Sequence, residues 1–382
     1  MRVVILGAGY AGVALSRRLE SSLPDAAELV VVDERPTHLV KHQLHRVIRH
    51  PSLADVIEIP LDELFDRAAV RTARVEGVDT DARVIRCADG TTIAYDVLAI
   101  CLGARTNFYG LPDVERHATP LDRLDDAREI RSDFRSILAD GGRAVVVGAG
   151  LSGVQVAGEL SAFAAEEGAT VTIELVEQFD EVAPGFPDRF RRAVAAALAA
   201  QGVVIHTGTT VVGASADALE VESGDPIPYD QLLWTGGIRG PAALGGERPS
   251  VRSDLRLATD AFVVGDAGRV LDANGTLVPA SAQTAVREAG TAAENVRKLV
   301  DHRLGSGSVF EPRLTPYVYD SPGWLVSVGD DAVAQVGPSV FRGPAARALK
   351  KTVGAGYLTS VGAIQNAVEL VHEGLGHDDV DE

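Results

Sequence analysis

Over its first hundred residues the chain alternates short unbroken apolar runs with stretches in which apolar residues recur every three or four positions. Val3 to Leu6 form one run, Ala11 to Glu20 carry a helical period, and Leu29 to Val32 form a second run that ends on Asp33. Unbroken runs of this length predict strands buried on both faces, and the periodic stretch between them predicts a crossover helix. The same order returns at Ala144 to Val147, Gly153 to Leu160 and Thr170 to Glu177. Two β-α-β units in one chain predict an α/β fold with two Rossmann-like domains. Near the end, Leu358, Val361, Ile364, Val368 and Val371 recur at helical spacing between Ser360, Gln365, Asn366 and Glu369, predicting an amphipathic helix after a C-terminal α/β segment.

Composition changes this picture in three ways. With 382 residues and 46% hydrophobic content, the chain has room for two or three cores. Its 54 acidic residues against 36 basic ones give a net charge of −18, and lysine occurs only at Lys41, Lys298, Lys350 and Lys351. A surface of that sign repels phosphates, so no nucleic-acid partner is expected. Self-repulsion of this kind is relieved in molar salt, where the Debye length falls to about 3 Å, and the acid-rich, lysine-poor composition is that of a salt-loving organism. The chain enters its first strand without a charged-then-apolar leader, and no run of about 18 apolar residues is present to span a bilayer. Cys87 and Cys101 form no CxxC and no metal-ligand spacing, so neither a metal centre nor an oxidising compartment is expected.

Chemistry enters with the glycines. Gly7, Gly9 and Gly12 join the first strand to its helix, and Gly148, Gly150 and Gly153 repeat them 148 − 7 = 141 residues later. Glycines at this spacing permit a tight turn, let the backbone approach a pyrophosphate, and let helix pack closely on strand. An acid closes each unit, Asp33 and Glu177, where it can accept hydrogen bonds from ribose hydroxyls. Two bound dinucleotides are expected.

Which dinucleotide goes where follows from two later stretches. YDVLAICLGARTNFYG, Tyr95 to Gly110, and DAFVVGDAG, Asp260 to Gly268, together resemble the flavin-binding half of two-dinucleotide-binding-domain flavoproteins. The resemblance implies FAD in the first unit, with Asp266 at the ribityl chain, and NADH in the second. It also implies a discontinuous FAD-binding domain of residues 1–108 and 243–300, an inserted NADH-binding domain of 109–242, and a C-terminal region of 301–382 facing quinone and membrane. A carboxylate at 177 would repel the 2′-phosphate of NADPH, so NADH is the expected donor.

DERPTHLVKHQLHRV from Asp33, LLWTGGIRGPAAL from Leu232 and VPASAQTAVREAGTAAENV from Val278 narrow the resemblance to type II NADH dehydrogenases over roughly residues 1–335. These are single-subunit, peripheral NADH:quinone oxidoreductases that do not pump protons. The resemblance implies a flavin set of Gly7, Gly9, Tyr10, Ala11, Gly12, Asp33, Glu34, Lys41, Val75, Cys101, Gly103, Asp266, Ala282 and Gln283. It implies an NADH set of Gly148, Gly150, Leu151, Ser152, Gly153, Glu177 and Gly237, and a quinone approach near Gln283 and Arg287. Three positions depart from the family: Arg287 replaces the second glutamine of Ala-Gln-x-Ala-x-Gln, Gln155 replaces a glutamate, and Cys101-Leu102-Gly103 replaces Ala-Thr-Gly. Glu159, one turn beyond Gln155, is the expected stand-in for proton delivery. Gln155, Glu159, Gln283 and Arg287 are thus the catalytic candidates.

Rival activities are separated by few features. Sulfide:quinone oxidoreductases share the fold but need cysteines to carry sulfur, and none lies beyond Cys101. A ferredoxin reductase or apoptosis-inducing-factor-like flavoprotein would pass electrons to a soluble acceptor, and a redox sensor would hold both nucleotides without turnover. The tail favours quinone: from Ala332 to Val368 there is no Asp or Glu, while Arg342, Arg347, Lys350 and Lys351 fall inside. A basic segment leading to an amphipathic helix suits the cytoplasmic face of a membrane. Packing of that helix on the protein body or in a homodimer is the alternative.

Overall fold

A computed structural model describes residues 1–305, 310–321 and 323–375; at Asp140, Ile364 and residues 371–375 it describes the backbone alone. The first unit folds into a six-stranded sheet in the order Arg256–Ala258, Ala261–Val263, Val97–Ile100, Arg2–Leu6, Glu28–Asp33, Ala69–Thr72. All neighbours are parallel except the first pair. Val3 to Leu6 are wholly buried, as an apolar strand covered on both faces must be. Helices Tyr10–Ser22 and Ala282–Leu304 pack on each other beside this sheet.

The second unit is a five-stranded parallel sheet in the order Thr119–Pro120, Gln231–Trp234, Gly142–Val147, Val171–Val176, Val204–His206. Each unit also carries a three-stranded antiparallel meander: Val75–Asp79, Val84–Cys87 and Thr92–Ala94 in the first, Val211–Ala214, Ala218–Val221 and Ile227–Pro228 in the second. The chain passes between units where Arg105–Thr106 pairs antiparallel with Ile238–Arg239.

The C-terminal region is an antiparallel sheet, Gly323–Val328, Asp331–Val336 and Ser339–Arg342, followed by helices Pro344–Ser360 and Ile364–Leu375. Its hairpin lies tightly on the helix Leu151–Glu166: a Cβ on Gly158 would come within 2.4 Å of the Gly329 nitrogen. The amphipathic helix expected over Leu358 to Val371 is two helices, broken at Gly362, whose φ of +87° no ordinary side chain favours. Leu358 and Val361 are buried in the main core, not presented outward, whereas Val368 is half exposed; the Val371 side chain lies outside the described residues. Packing on the protein body thus takes Leu358 and Val361 from the expected apolar face and leaves Val368 outside it; the Ile364 side chain, like that of Val371, lies outside the described residues.

Candidate functional site

The two glycine turns have nearly the same geometry. Gly7 and Gly148 adopt φ of +92° and +96°, and a Cβ on Gly12 or Gly153 would sit 1.8 Å from the carbonyl oxygen of Gly7 or Gly148. Only glycine fits, because helix and turn are in contact there. Ala8 N–H donates to Asp33 Oδ2 at 2.6 Å and Ala149 N–H to Glu177 Oε2 at 2.7 Å. The second carboxylate oxygens accept from Arg35 N–H at 2.9 Å and Phe179 N–H at 3.0 Å. Each oxygen keeps a lone pair, so each acid both fixes its turn and can receive a sugar hydroxyl. No side chain caps either helix, Tyr10–Ser22 or Leu151–Glu166, which leaves their first N–H groups to an anion.

A cleft of about 790 Å³ opens from the first turn. Of the expected flavin residues, Gly7, Gly9, Tyr10, Ala11, Asp33, Glu34, Lys41, Val75, Cys101, Gly103, Asp266 and Ala282 line it, joined from the second unit by Ser152 and Gly237. Gly12 lies behind it as a packing residue, and half-buried Gln283 is not among the lining residues. Gly148, Gly150, Leu151, Gly153 and Glu177 form the second turn, away from this cleft. The sequence reading placed Glu34 and Lys41 at the flavin but missed their charged partners Arg105, Asp122 and Arg123. Glu34 pairs with Arg105 at 2.8 Å and Arg123 at 3.3 Å, and Asp122 takes both Arg105 and Lys41. These contacts stitch the first unit to the crossing segment, and the available signal was the arginine in GARTNF just after a buried strand.

Beneath the cleft Asp266 sits on a single turn, Gly265–Ala267, after the strand Ala261–Val263. Burial raises its carboxyl, against the opposing pull of Arg248 and Lys41. Arg248 donates to the carbonyls of Asp266 and Gly268 at 2.7 and 2.8 Å. Cys101 is buried and its thiol is pushed up, chiefly by burial; Cys87 is buried and free as well, so no disulfide joins the two.

The four catalytic candidates are not gathered in the cleft. Arg287 is turned outward, donating to the Asp320 carbonyl, and its guanidinium lies 3.9 Å from the Asp320 carboxylate. The amide of Gln155 is 3.4 Å from both His45 Nε2 and Ser327 Oγ, which bond each other at 2.9 Å. Glu159 is sealed against Arg49 at 3.0 Å, and burial raises its carboxyl; as a direct stand-in for the missing glutamate it has no access to the cleft. Lys350, expected as a surface cation, faces this same junction. Burial lowers its ammonium, Arg46 and Arg49 push the same way, and Glu159 and Asp330 oppose them. Arg49 and Ser327 escaped the sequence reading, as did their meeting with His45 and Lys350, because the four come from three distant segments and share no motif.

Two matched nucleotide turns, the first opening on the cleft and the second set apart from it, define a two-dinucleotide oxidoreductase. The chain belongs to the pyridine nucleotide-disulphide oxidoreductase family, whose pattern matches residues 1–289. It is 29% identical over 380 residues to the demethylphylloquinone reductase NdbB of Synechocystis sp., covering 92% of this chain and 91% of that one. It is 24% identical over 397 residues to a type II NADH:quinone oxidoreductase of Staphylococcus saprophyticus, covering 95% and 96%. The fold matches NDH2 of Plasmodium falciparum in complex with NADH, with a TM-score of 0.82, 15% identity and 97% of each chain covered. The expected α/β class and the resemblance to type II NADH dehydrogenases are borne out by these likenesses.

Proposed function

We propose that this chain is an FAD-dependent oxidoreductase that takes a hydride from NADH and delivers two electrons to a membrane quinone, without pumping protons. The observation that carries the reading is the pair of equivalent glycine turns, one opening directly on the cleft and the other contributing Ser152 and Gly237 through its unit. The residues fit a flavin dinucleotide: Gly7 and Gly12 have no room for a Cβ, Asp33 has lone pairs to spare, and Asp266 lines the cleft. When bound, the flavin supplies the hydride acceptor and the two-electron relay. The balance is NADH + H⁺ + quinone → NAD⁺ + quinol.

The chain's own part is binding and orientation. Gly7 to Gly12 and the free N–H groups of the first helix hold one pyrophosphate, and Gly148 to Gly153 hold the other. Asp33 and Glu177 take the ribose hydroxyls, and Lys41 places positive charge beside the cleft for the reduced flavin. Gln155 does not line the cleft; its amide holds the His45–Ser327 pair on the side of the second unit. Arg287, tied to Asp320, frames the acceptor side from outside.

The relatives named as quinone reductases support a quinone as acceptor. No helix among the described residues is long and apolar enough to cross a membrane. A peripheral position on the cytoplasmic side is supported by exposed Arg342 and Arg347 in a C-terminal region that also exposes Phe341, Val353 and Val368. The net charge of −18 supports a salt-rich cytoplasm. Anaerobic titration tests the reading: NADH bleaches the visible flavin band in one equivalent, and added quinone restores it. A band that NADH leaves intact, or that only a ferredoxin-type protein restores, defeats it.

A further inference from the structure

Glu288 belongs to no expected set, yet it lies directly under the flavin-binding turn. It is 2% exposed, on the second turn of the helix Ala282–Leu304. Its Oε2 accepts the Gly265 N–H at 2.7 Å, from the residue just before Asp266. Gly265 is pinched between two helices: with φ of +72°, its Cβ would meet the Cβ atoms of Ala11 and Ala285, each at 3.2 Å. Arg248 holds the next stretch of the turn through the Asp266 and Gly268 carbonyls. The Asp266 turn is therefore clamped on one side by a carboxyl and on the other by a guanidinium.

We propose that Glu288 is a positioning residue for the flavin: its carboxyl, in the protonated form, fixes the Gly265–Asp266 turn, and its ionisation loosens the cofactor. A neutral carboxyl still accepts the Gly265 N–H through its carbonyl oxygen. An ionised one, itself shielded from water, puts a second negative charge beside Asp266 at the wall of the cleft, next to a ligand whose diphosphate is itself anionic. Burial pushes Glu288 up to about 7, with Asp266 acting in the same direction and the Gly265 N–H and Arg248 against it. The other titratable groups that feel Glu288 are Cys101, at the end of the central strand, and Tyr317, from the segment before the C-terminal sheet; burial pushes both up, so both stay neutral across this range. Because bound FAD favours the neutral form, binding takes up a proton, and affinity falls as pH rises through the titration of Glu288.

This inference rests on the flavin reading above, and the test separates the two. FAD affinity of the apoprotein is measured by flavin fluorescence between pH 6 and pH 8.5. The wild-type Kd is expected to rise by about three- to tenfold over that span, a slope set by proton uptake at one site. E288Q, which keeps the acceptor oxygen but cannot ionise, should hold FAD at high pH as tightly as the wild type does at low pH, with the slope gone. E288A should bind FAD weakly at every pH. Where circular dichroism shows E288A unfolded, wild type and E288Q alone decide. A flat wild-type profile, or a wild-type slope retained in E288Q, overturns the assignment. A chain that takes up no FAD at any pH overturns the flavin reading instead.

Discussion

The hydroxyl of Tyr357 and Nε2 of His38, 319 residues apart, share a hydrogen bond of 2.9 Å. His38 Nδ1 lies 2.8 Å from the Ala8 carbonyl, which can only accept, so Nδ1 carries the proton and Tyr357 donates to Nε2. The C-terminal helix is thereby connected, through one imidazole, to the first glycine turn. Tyr10 packs edge-on against both rings, with centroids 5.5 Å from His38 and 4.9 Å from Tyr357. Y357F removes one hydrogen bond and leaves the ring, so it should cost about 1 kcal/mol of stability and weaken FAD retention several-fold. Equal thermal midpoints and equal flavin content in mutant and wild type would detach the helix from the cofactor. Truncation before Arg342, on a sequence view of the tail as an appendage, spares hydride transfer to small soluble acceptors. With Leu358 and Val361 in the core, the expected outcome is a chain that loses its flavin.

His38 also sets a pH response. It is fully buried, and burial lowers its imidazole to about 4, only partly opposed by the Ala8 carbonyl. Between that value and the ordinary 6.5 the unfolded chain binds a proton that the folded chain does not. The contribution of His38 is therefore present above pH 6.5 and lost as pH falls toward 4, on the order of 3 kcal/mol in full. His42, lowered to about 4 as well, acts in the same direction, while Glu288 gains stability over this range and opposes both. A difference measurement isolates the site. H38N, which can still donate to Ala8, should be less stable than wild type at pH 7.5, and the gap in urea midpoint should narrow steadily by pH 4.5. A gap that is constant with pH removes the buried neutral imidazole from the account.

Much of this was readable because strand-turn-helix chemistry is local. Gly7, Gly12 and Asp33 fall within one β-α-β unit, and so do Gly148, Gly153 and Glu177; their geometry follows from spacing alone. The tail was less legible. Its helical period is real, but a period does not say whether the apolar face meets lipid or protein, and Gly362 interrupts it at a place the spacing of Leu358, Val361 and Ile364 conceals. Least legible was the junction of His45, Arg49, Glu159, Ser327 and Lys350, which exists only once four segments have docked. Lys350 shows why: as a residue type in an acid-free window it reads as a surface cation, and only packing turns it inward.

Glu177 carries the prediction on cofactor choice. Both of its oxygens accept backbone N–H groups, so replacing it does two things. E177A should loosen the second glycine turn and raise the KM for NADH, and by removing a charge that repels the 2′-phosphate it should raise kcat/KM for NADPH relative to NADH by about tenfold or more. E177Q keeps one acceptor oxygen and should shift the ratio in the same direction with less loss of stability. Steady-state kinetics with both nucleotides and a small quinone give the ratio. An unchanged ratio in both variants places the ribose elsewhere.

The last prediction concerns the membrane, and the structure changes how to test it. Since the tail is part of the core, deletion confounds lipid binding with folding. Arg342 and Arg347 are exposed, Arg342 directly follows exposed Phe341 in the chain, and neither is among the charges acting on Lys350. Each basic residue close to an anionic bilayer contributes about 1 kcal/mol, so R342E/R347E should weaken partition onto phosphatidylglycerol vesicles by roughly thirty-fold or more. NADH oxidation with ferricyanide should be unchanged, because neither residue lines the cleft. Turnover with a long-chain quinone embedded in the vesicles should fall with binding, and a water-soluble quinone should be reduced at the wild-type rate. Sedimentation with vesicles at 0.15 M salt and again at high salt supplies the control: charge-driven binding weakens as salt rises, in wild type more than in the variant. A double variant that sediments like wild type would assign the acid-free window to packing alone.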